Sequence, residues 1–289
     1  MKRFNKIIFL FFFLALYLGC SNESADTEPI VEPEVVEAYQ ALNVSYGSDP
    51  AQVFDIYLPK NRTSNTKTLI LLHGGSWISG DKADMDAIKV FIAALHPDIG
   101  IINMNYRLAN ATNPPLPMQI DDITAVVEYL SENTSILTIS DDIGFIGISA
   151  GAHLSLLWSY AYDVNNQVDM VCSIVGPTNF TDPAYYESTN PMYQAIYQLL
   201  GNPSIEFLES ASPFHTATAS APPTQLFYGG MDPLVPSSQG IDMAARLTEL
   251  GVTHQFHFYP QEGHGWEGDN LLDTTTKIST FIETYIEME

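Results

Sequence analysis

The stretch IGFIGISAGAHLSLLWSY, residues 143–160, joins an apolar run to a segment of good helix formers. At the junction, GISAG (147–151) fits the pattern G-x-S-x-G. On a sharp strand-to-helix turn this pattern exposes the serine hydroxyl, and the flanking glycines avoid Cβ clashes between strand and helix. Ser149 is therefore predicted to be a nucleophile. The alternative is a Gly/Ser turn that carries no chemistry.

Short apolar runs alternate with amphipathic segments along most of the chain. Strands are predicted at residues 52–58, 68–72, 100–105, 143–148, 170–175, 224–228 and 254–259. Helices are predicted at residues 118–130, at 241–250 and in the C-terminal segment LLDTTTKISTFIETYIEM. Strands that are apolar on both faces and separated by helices favour a mostly parallel sheet covered on both sides. The predicted fold class is α/β.

A serine hydroxyl needs a base to activate it, and the base needs an acid that orients it. A nucleophile on such a turn is followed in the chain by the acid and then by the histidine. Asp232 in GGMDPLVP and His264 in EGHGW each follow a predicted strand, in that order. Because open α/β sheets bind ligands at the carboxyl ends of their strands, the three side chains are predicted to form a catalytic triad. The alternatives are a turn aspartate before proline and a loop histidine with a structural role.

Two adjacent glycines follow the predicted strand 68–72 in the stretch LILLHGGSW. Glycines here leave the backbone free to approach a reacting carbonyl group. An acyl transfer by Ser149 requires N–H donors for the oxyanion, and we predict those of Gly75, Ser76 and Ala150. His73 is expected to organise this loop, and the alternative for the whole stretch is a plain strand-to-loop turn.

Two tryptophans and one long connection are predicted to shape the substrate site. Trp77 and Trp266 flank the predicted triad and are expected to stack on sugar or aromatic rings, unless they are core residues. Residues 176–223 are too long for a plain connection and are predicted to form a partial lid. The alternative is a surface excursion without a role.

The N-terminus carries the features of an export signal. Residues 1–19 combine the basic MKRFNK with the apolar IIFLFFFLALYL, which is too short to span a bilayer. Cys20 follows and is predicted to carry a lipid anchor in the cell envelope of a bacterium; the alternative is secretion with an unmodified cysteine. Residues 20–40 are rich in Glu and Pro and predict a flexible tether, which leaves 41–289 as the catalytic domain.

The charge balance and the histidine pattern exclude several function classes. The chain of 289 residues has 34 acidic and 11 basic residues, a formal net charge of −23, which argues against nucleic-acid partners. Membrane contact is predicted only through the lipid anchor. The histidines show neither HExxH nor Cys/His spacing, so no metal or cofactor is predicted. Cys172 lies in the apolar MVCSIV and is expected to be a buried free thiol.

The motifs together resemble those of a known family. QVFDIYLP, LLHGGSW, NYRLA, GISAG, GGMDPLVP and GHGW follow one another in the order and spacing of hormone-sensitive-lipase-like α/β-hydrolases. Over roughly residues 44–289 the chain is most similar to bacterial carbohydrate-type serine esterases with an HGGxW loop. It departs from that pattern at Ser76, which stands where the third glycine is usual.

The resemblance implies an α/β-hydrolase fold and a serine carboxylesterase that works without a cofactor. The implied substrates are small acyl esters, such as acetyl or feruloyl groups on plant-type polysaccharides. Two alternatives stay open. One is an arylformamidase-like amide hydrolase, and the other is a non-catalytic sugar-binding lipoprotein on a hydrolase scaffold.

Overall fold

The computed structural model describes residues 35–287. The predicted signal segment, Cys20 and most of the predicted tether lie outside the described residues. At the centre is an eight-stranded sheet in the order β1-β2-β4-β3-β5-β6-β7-β8, in which β2 is antiparallel to both β1 and β4 and all other pairs are parallel. The strands are β1 (Tyr39–Ser45), β2 (Val53–Leu58), β3 (Thr68–Leu72), β4 (Gly100–Met104), β5 (Ile143–Ile148), β6 (Val168–Ile174), β7 (Thr224–Gly229) and β8 (His254–Tyr259).

Helices lie in each connection from β3 to β8 and after β8. They are α1 (Asp86–Leu95), α2 (Met118–Glu132), α3 (Thr134–Leu137), α4 (Ala150–Ala161), α5 (Pro183–Tyr186), α6 (Pro191–Leu199), α7 (Ile205–Ser210), α8 (Pro213–Thr216), α9 (Ser238–Leu250) and α10 (Gly268–Ile282). A 3₁₀ turn, Lys82–Met85, precedes α1, and a π-helical turn, Glu283–Glu287, follows α10. Within the described part of the chain, no helix is long and apolar enough to cross a membrane.

The sheet buries both of its faces, as the apolar runs predict. In β3, Ile70 and Leu72 pack into one core cluster, and Leu69 and Leu71 pack into the cluster on the opposite face. All four side chains are inaccessible to solvent. Because the seven predicted strands are present within two residues of their predicted bounds, the α/β class is confirmed.

Strand β1 is absent from the sequence prediction. It starts at Tyr39, in the last two positions of the predicted tether, and pairs antiparallel with β2 at the edge of the sheet. Its side chains are exposed or only partly buried, and a bulge lies between Ala41 and Val44. An exposed, bulged edge strand lacks the apolar alternation from which strands are recognised.

The segment 176–223 contains the four short helices α5 to α8. Proline occupies the first turn of α5, α6 and α8, where its missing N–H costs no helical hydrogen bond. The side chain of Asn190 caps α6 by accepting a hydrogen bond from the Met192 amide at 3.0 Å. The segment is therefore folded, and α6 faces the region around Ser149 described below.

Substitution of Gly151 by alanine tests how tightly the start of α4 packs on the sheet. A Cβ atom on Gly151 would lie 2.3 Å from the carbonyl oxygens of both Leu72 and His73, which are backbone atoms that cannot rotate away. Gly151→Ala should lower the free energy of unfolding by at least about 2 kcal/mol in urea denaturation. Gly265→Ala is the matched control, because nothing lies within 4 Å of its added Cβ, and a change within about 0.5 kcal/mol is expected. Equal effects of the two substitutions would contradict this packing.

Candidate active site

Ser149 lies on the turn between β5 and α4 with φ +53° and ψ −117°. This conformation is strained for a residue with a side chain, and such strain is held only where surrounding contacts enforce it. The Ser149 N–H donates to the carbonyl of Ile174 at 2.8 Å, and its own carbonyl accepts from the His153 amide at 3.0 Å. The turn is thus fastened to β6 on one side and to the first turn of α4 on the other.

Asp232 and His264 reach Ser149 from the loops that follow β7 and β8. The Nδ1 atom of His264 lies 2.7 Å from Oδ2 of Asp232, and its Nε2 atom lies 2.9 Å from the Ser149 hydroxyl. Because a carboxylate only accepts hydrogen bonds, Nδ1 carries the proton and Nε2 is left to accept from Ser149. The structure therefore brings the three predicted catalytic residues into one hydrogen-bonded series.

The Asp232 carboxylate is held by its own loop. Its Oδ1 atom accepts from the backbone amides of Leu234 at 2.8 Å and Val235 at 3.0 Å, which leaves Oδ2 for His264. The side chain is 1% exposed. These two amide bonds orient the carboxylate and stabilise its charge while it is buried.

The HGGSW loop lies directly beside Ser149. A Cβ atom on Gly74 would lie 3.3 Å from Cβ of Ser149. The next three residues all have left-handed backbone, with φ of +114° at Gly75, +51° at Ser76 and +64° at Trp77. The Gly75 carbonyl closes the turn by accepting from the amides of Ile78 and Ser79.

The predicted oxyanion donors have free N–H groups. Those of Gly75 and Ser76 have no hydrogen-bond partner among residues 35–287. The N–H of Ala150, at the first position of α4, is likewise without a partner in this part of the chain, as expected at a helix N-terminus. Free N–H groups on both sides of Ser149 are what an oxyanion hole requires.

His73 organises this loop from within the core. Its ring is inaccessible to solvent and stacks on Tyr106 at 4.3 Å between ring centroids. Nδ1 donates to the Gly74 carbonyl at 2.7 Å, and burial lowers the pKa of the imidazole below its usual value, so the ring is neutral. In the structure it is His264, and not His73, that contacts Ser149.

Ser149 opens into a cavity of about 280 Å³. Its wall is almost entirely apolar. Three groups of residues contribute: Ser76, Trp77 and Ile78 in and just after the HGGSW loop; Tyr185 from α5 and Met192, Tyr193, Ala195, Ile196 and Leu199 from α6; and Pro177, Leu234 and Val235 from loops. None of these side chains carries a charge. The segment predicted as a lid therefore supplies much of the cavity wall.

The two predicted substrate-binding tryptophans lie in different places. Trp77 is 4% exposed, and it both belongs to the core and borders the cavity. Trp266 does not border the cavity. Its indole N–H donates to Thr274 at 2.8 Å, and its ring packs against Tyr259 at 4.8 Å, so it closes the core beneath α10. The sequence places Trp266 two residues after His264, but its side chain points into the core and not toward the cavity, so the predicted substrate contact of Trp266 is absent from this structure.

His153 connects the HGGSW loop to the segment 176–223. Its Nδ1 accepts from the Trp77 indole N–H at 3.2 Å, and its Nε2 donates to the Ala211 carbonyl at 2.8 Å. Burial lowers the pKa of His153 to about 4. The contact with Trp77 needs the neutral ring, because Nδ1 can accept a hydrogen bond only when it carries no proton. The position of His153, one helical turn after the nucleophile, was the only sequence signal for this role.

Tyrosines of the segment 176–223 contact the loop that carries Asp232. Tyr185 donates to the Leu234 carbonyl at 3.1 Å, and Tyr193 donates to the Pro233 carbonyl at 3.2 Å. Their rings meet edge to face at 4.8 Å. The tyrosines of this segment are visible in the sequence, but their partners are backbone carbonyl groups, which no side-chain pattern identifies.

The sequence matches the BD-FAE family model over residues 54–247, which is well over half of the chain. The chain belongs to the BD-FAE family. Among curated relatives, esterase LipC of Mycobacterium tuberculosis is 27% identical over 249 residues, covering 80% of this chain and 60% of LipC. Kynurenine formamidase of Scheffersomyces stipitis is 29% identical over 171 residues, covering 55% of this chain and 58% of that protein. The chain thus spans less than two thirds of the length of either relative.

A solved structure described as a truncated carbohydrate esterase from gut microbiota superposes with a TM-score of 0.68. It is 22% identical and covers 85% of this chain and 98% of that one. At 22% identity, the structural similarity shows a shared fold and no more than that. Together with the family match, it confirms the α/β-hydrolase fold that the motifs implied.

The buried neutral His153 predicts a pH dependence of stability. Its pKa of about 4 in the folded protein lies below the 6.5 of a free histidine, so only the unfolded chain binds this proton as the pH falls between those values. Stability is therefore complete above about pH 6.5 and declines toward pH 4. Between pH 7 and pH 5 the loss from this residue is about 2 kcal/mol.

Comparison with His153→Gln isolates this contribution, because glutamine offers the same donor and acceptor but does not titrate. Urea denaturation at pH 7 and pH 5 should show a decline about 2 kcal/mol smaller in the variant than in the wild type. All other titrating groups are common to the two proteins. An identical decline in both would show that His153 is not the buried neutral histidine described here.

Proposed function

We propose that this protein is a serine carboxylesterase that hydrolyses small acyl esters through an acyl-enzyme. The observation that carries the proposal is the hydrogen-bonded series from Asp232 through His264 to Ser149, with its nucleophile on a strained turn at the mouth of an apolar cavity. The esterase activity of its relatives supports the same class.

In the first step, the Ser149 hydroxyl attacks the ester carbonyl while Nε2 of His264 takes its proton. Asp232 keeps the proton of Nδ1 in place and stabilises the imidazolium that forms. His264 then gives the proton to the departing alcohol. A water molecule, activated by the same base, attacks the acyl-enzyme, and the acid leaves as Ser149 recovers its proton.

The N–H groups of Gly75, Ser76 and Ala150 stabilise the negative charge on the carbonyl oxygen in both steps. They are free of other partners in the described structure and flank Ser149. The left-handed backbone of the loop orients successive amides in advance, so no reorganisation is needed as the charge develops. Removal of one such donor typically lowers the rate by about 10²- to 10³-fold.

The cavity supports an acyl group of limited size as the part of the substrate that enters. Its volume of about 280 Å³ lies near the lower end of small-molecule sites, which begin at about 300 Å³. A polysaccharide chain does not fit into it, whereas an acetyl group leaves most of it empty. We therefore favour a larger apolar acyl group, such as the feruloyl group, over acetyl as the natural acyl moiety, carried on a plant-type polysaccharide.

Replacement of Ser149 by alanine should lower kcat/KM on methyl ferulate and p-nitrophenyl acetate by at least about 10⁴-fold, because the nucleophile is lost. The thermal unfolding midpoint should not fall. Ser159→Ala is the matched control, since this serine of the same helix only bonds to the Ser155 carbonyl, and its activity should stay within a few-fold of wild type.

A serine-directed fluorophosphonate separates this proposal from a non-catalytic sugar-binding lipoprotein. Wild type and Ser159→Ala should be labelled covalently at Ser149, and Ser149→Ala should not. Retained hydrolysis by Ser149→Ala would disprove the assigned nucleophile. A wild type that neither reacts with the probe nor hydrolyses any ester would favour the non-catalytic alternative.

An arylformamidase activity is the second candidate, favoured by the likeness to kynurenine formamidase. The same triad attacks a formyl carbonyl, and the apolar cavity accepts an aryl group. Steady-state rates on N-formylkynurenine and on methyl ferulate distinguish the two functions. A higher kcat/KM for N-formylkynurenine than for methyl ferulate would favour the arylformamidase function over the esterase function.

We further propose that the protein is exported and anchored to a bacterial cell envelope membrane through a lipid on Cys20. The support is the sequence of residues 1–20, which lie outside the described structure. In a bacterial host, the wild type should incorporate labelled palmitate and sediment with membranes, and Cys20→Ser should do neither. A membrane-bound Cys20→Ser variant would disprove anchoring through this residue.

A further inference from the structure

Ser76 has a backbone conformation that favours glycine and a side chain that makes no contact to explain it. Its φ is +51°, where a Cβ atom is unfavourable. Its side chain is exposed, and its hydroxyl forms no hydrogen bond within residues 35–287. Glycine would supply the same N–H group without strain, so neither stability nor the oxyanion hole accounts for a serine here.

The other hydroxyl groups that border the cavity are already engaged. Ser149 donates to His264, Tyr185 donates to the Leu234 carbonyl, and Tyr193 donates to the Pro233 carbonyl. The remainder of the wall is apolar. Among the described side chains, Ser76 therefore offers the only uncommitted hydroxyl at the cavity, and it can both donate and accept.

The exposure of the wall residues separates the acyl side from the alcohol side. Tyr185, Val235 and Trp77 are nearly inaccessible and form the deep part of the cavity, whereas Ser76 and Ile78 are exposed at its mouth. Since a polysaccharide cannot enter about 280 Å³, its sugar must stay at the mouth while its acyl group fills the interior. The Ser76 hydroxyl thus lies on the side of the leaving alcohol.

We propose that Ser76 is a specificity determinant that hydrogen-bonds a hydroxyl group of the alcohol moiety, adjacent to the esterified oxygen. The ligand class is a polyol or sugar monoester, in which a free hydroxyl stands on the carbon next to the acylated one. This inference rests on the proposed esterase function and adds the recognition of its alcohol. In a wall whose other hydroxyl groups are already engaged, one free hydroxyl selects a substrate by the hydrogen bond that it completes.

The test uses 2-hydroxyethyl ferulate and propyl ferulate, which share the acyl group and differ only by a hydroxyl in place of a methyl group. The measured quantity is kcat/KM for 2-hydroxyethyl ferulate divided by kcat/KM for propyl ferulate, determined for each protein. An effect of a substitution on the oxyanion hole changes both values alike and cancels in this ratio. Ser76→Ala and Ser76→Gly should each lower this ratio by about three- to tenfold, the value of one neutral hydrogen bond. Ser79→Ala is the control, because it removes a hydroxyl of the same loop that bonds to the Gly75 carbonyl away from the cavity, and its ratio should stay within about twofold of wild type.

A second measurement separates recognition from a structural role. Ser76→Gly should raise the thermal unfolding midpoint by about 2 °C, because it removes the strain of a side chain at positive φ. A lower midpoint would show that the serine stabilises the loop and would overturn the inference. An unchanged ratio in Ser76→Ala would also overturn it but leave the esterase function intact. A wild type that hydrolyses p-nitrophenyl acetate but neither ferulate would overturn the proposed acyl group and this inference with it, whereas a wild type that hydrolyses none of the three esters would overturn the esterase function itself.

Discussion

Helix α4 begins so close to strand β3 that a methyl group on Gly151 would lie 2.3 Å from the carbonyl oxygens of Leu72 and His73. On the other side of the turn, a Cβ atom on Gly147 would lie 2.5 Å from the Gly151 carbonyl oxygen. The absence of these two side chains lets strand and helix approach closely at the reversal, where Ser149 is held at φ +53°. The same approach places the end of β3, and hence the HGGSW loop, beside Ser149.

The remaining parts of the site come from segments far apart in the chain that are fastened to this turn. The Asp232 loop is held by two hydrogen bonds from its own amides to the Asp232 carboxylate. It is also held by the hydroxyl groups of Tyr185 and Tyr193, which donate to carbonyl groups of the loop. The HGGSW loop is held by the contact of Trp77 with His153, and the same histidine donates to the carbonyl of Ala211 in the segment 176–223. The segment 176–223 therefore both lines the cavity and supports the Asp232 loop and the HGGSW loop. A substitution in this segment is expected to affect catalysis as well as substrate binding, since the same tyrosines serve both.

Features that depend on local chemistry were predictable from the sequence, whereas features that depend on packing at a distance were not. The central strands are apolar on both faces, so their positions follow from composition alone. The order of Ser149, Asp232 and His264 follows from the topology, because loops after parallel strands share one sheet edge. Strand β1 lacks such a signal because its side chains are exposed or only partly buried. The direction of the Trp266 side chain depends on Thr274 and Tyr259, whose contacts no local pattern encodes.

The charge of the protein and the polarity of the cavity act together on the proposed reaction. A neutral ester enters a cavity whose described walls carry no charge, and hydrolysis releases a carboxylate inside it. An anion is costly in such surroundings, because no cationic side chain among residues 35–287 borders the cavity to pair with it. The net charge of the chain, −23, adds repulsion between the protein and the released anion. Both effects favour departure of the acid product, so the apolar wall that admits the acyl group also disfavours its retention once it is hydrolysed.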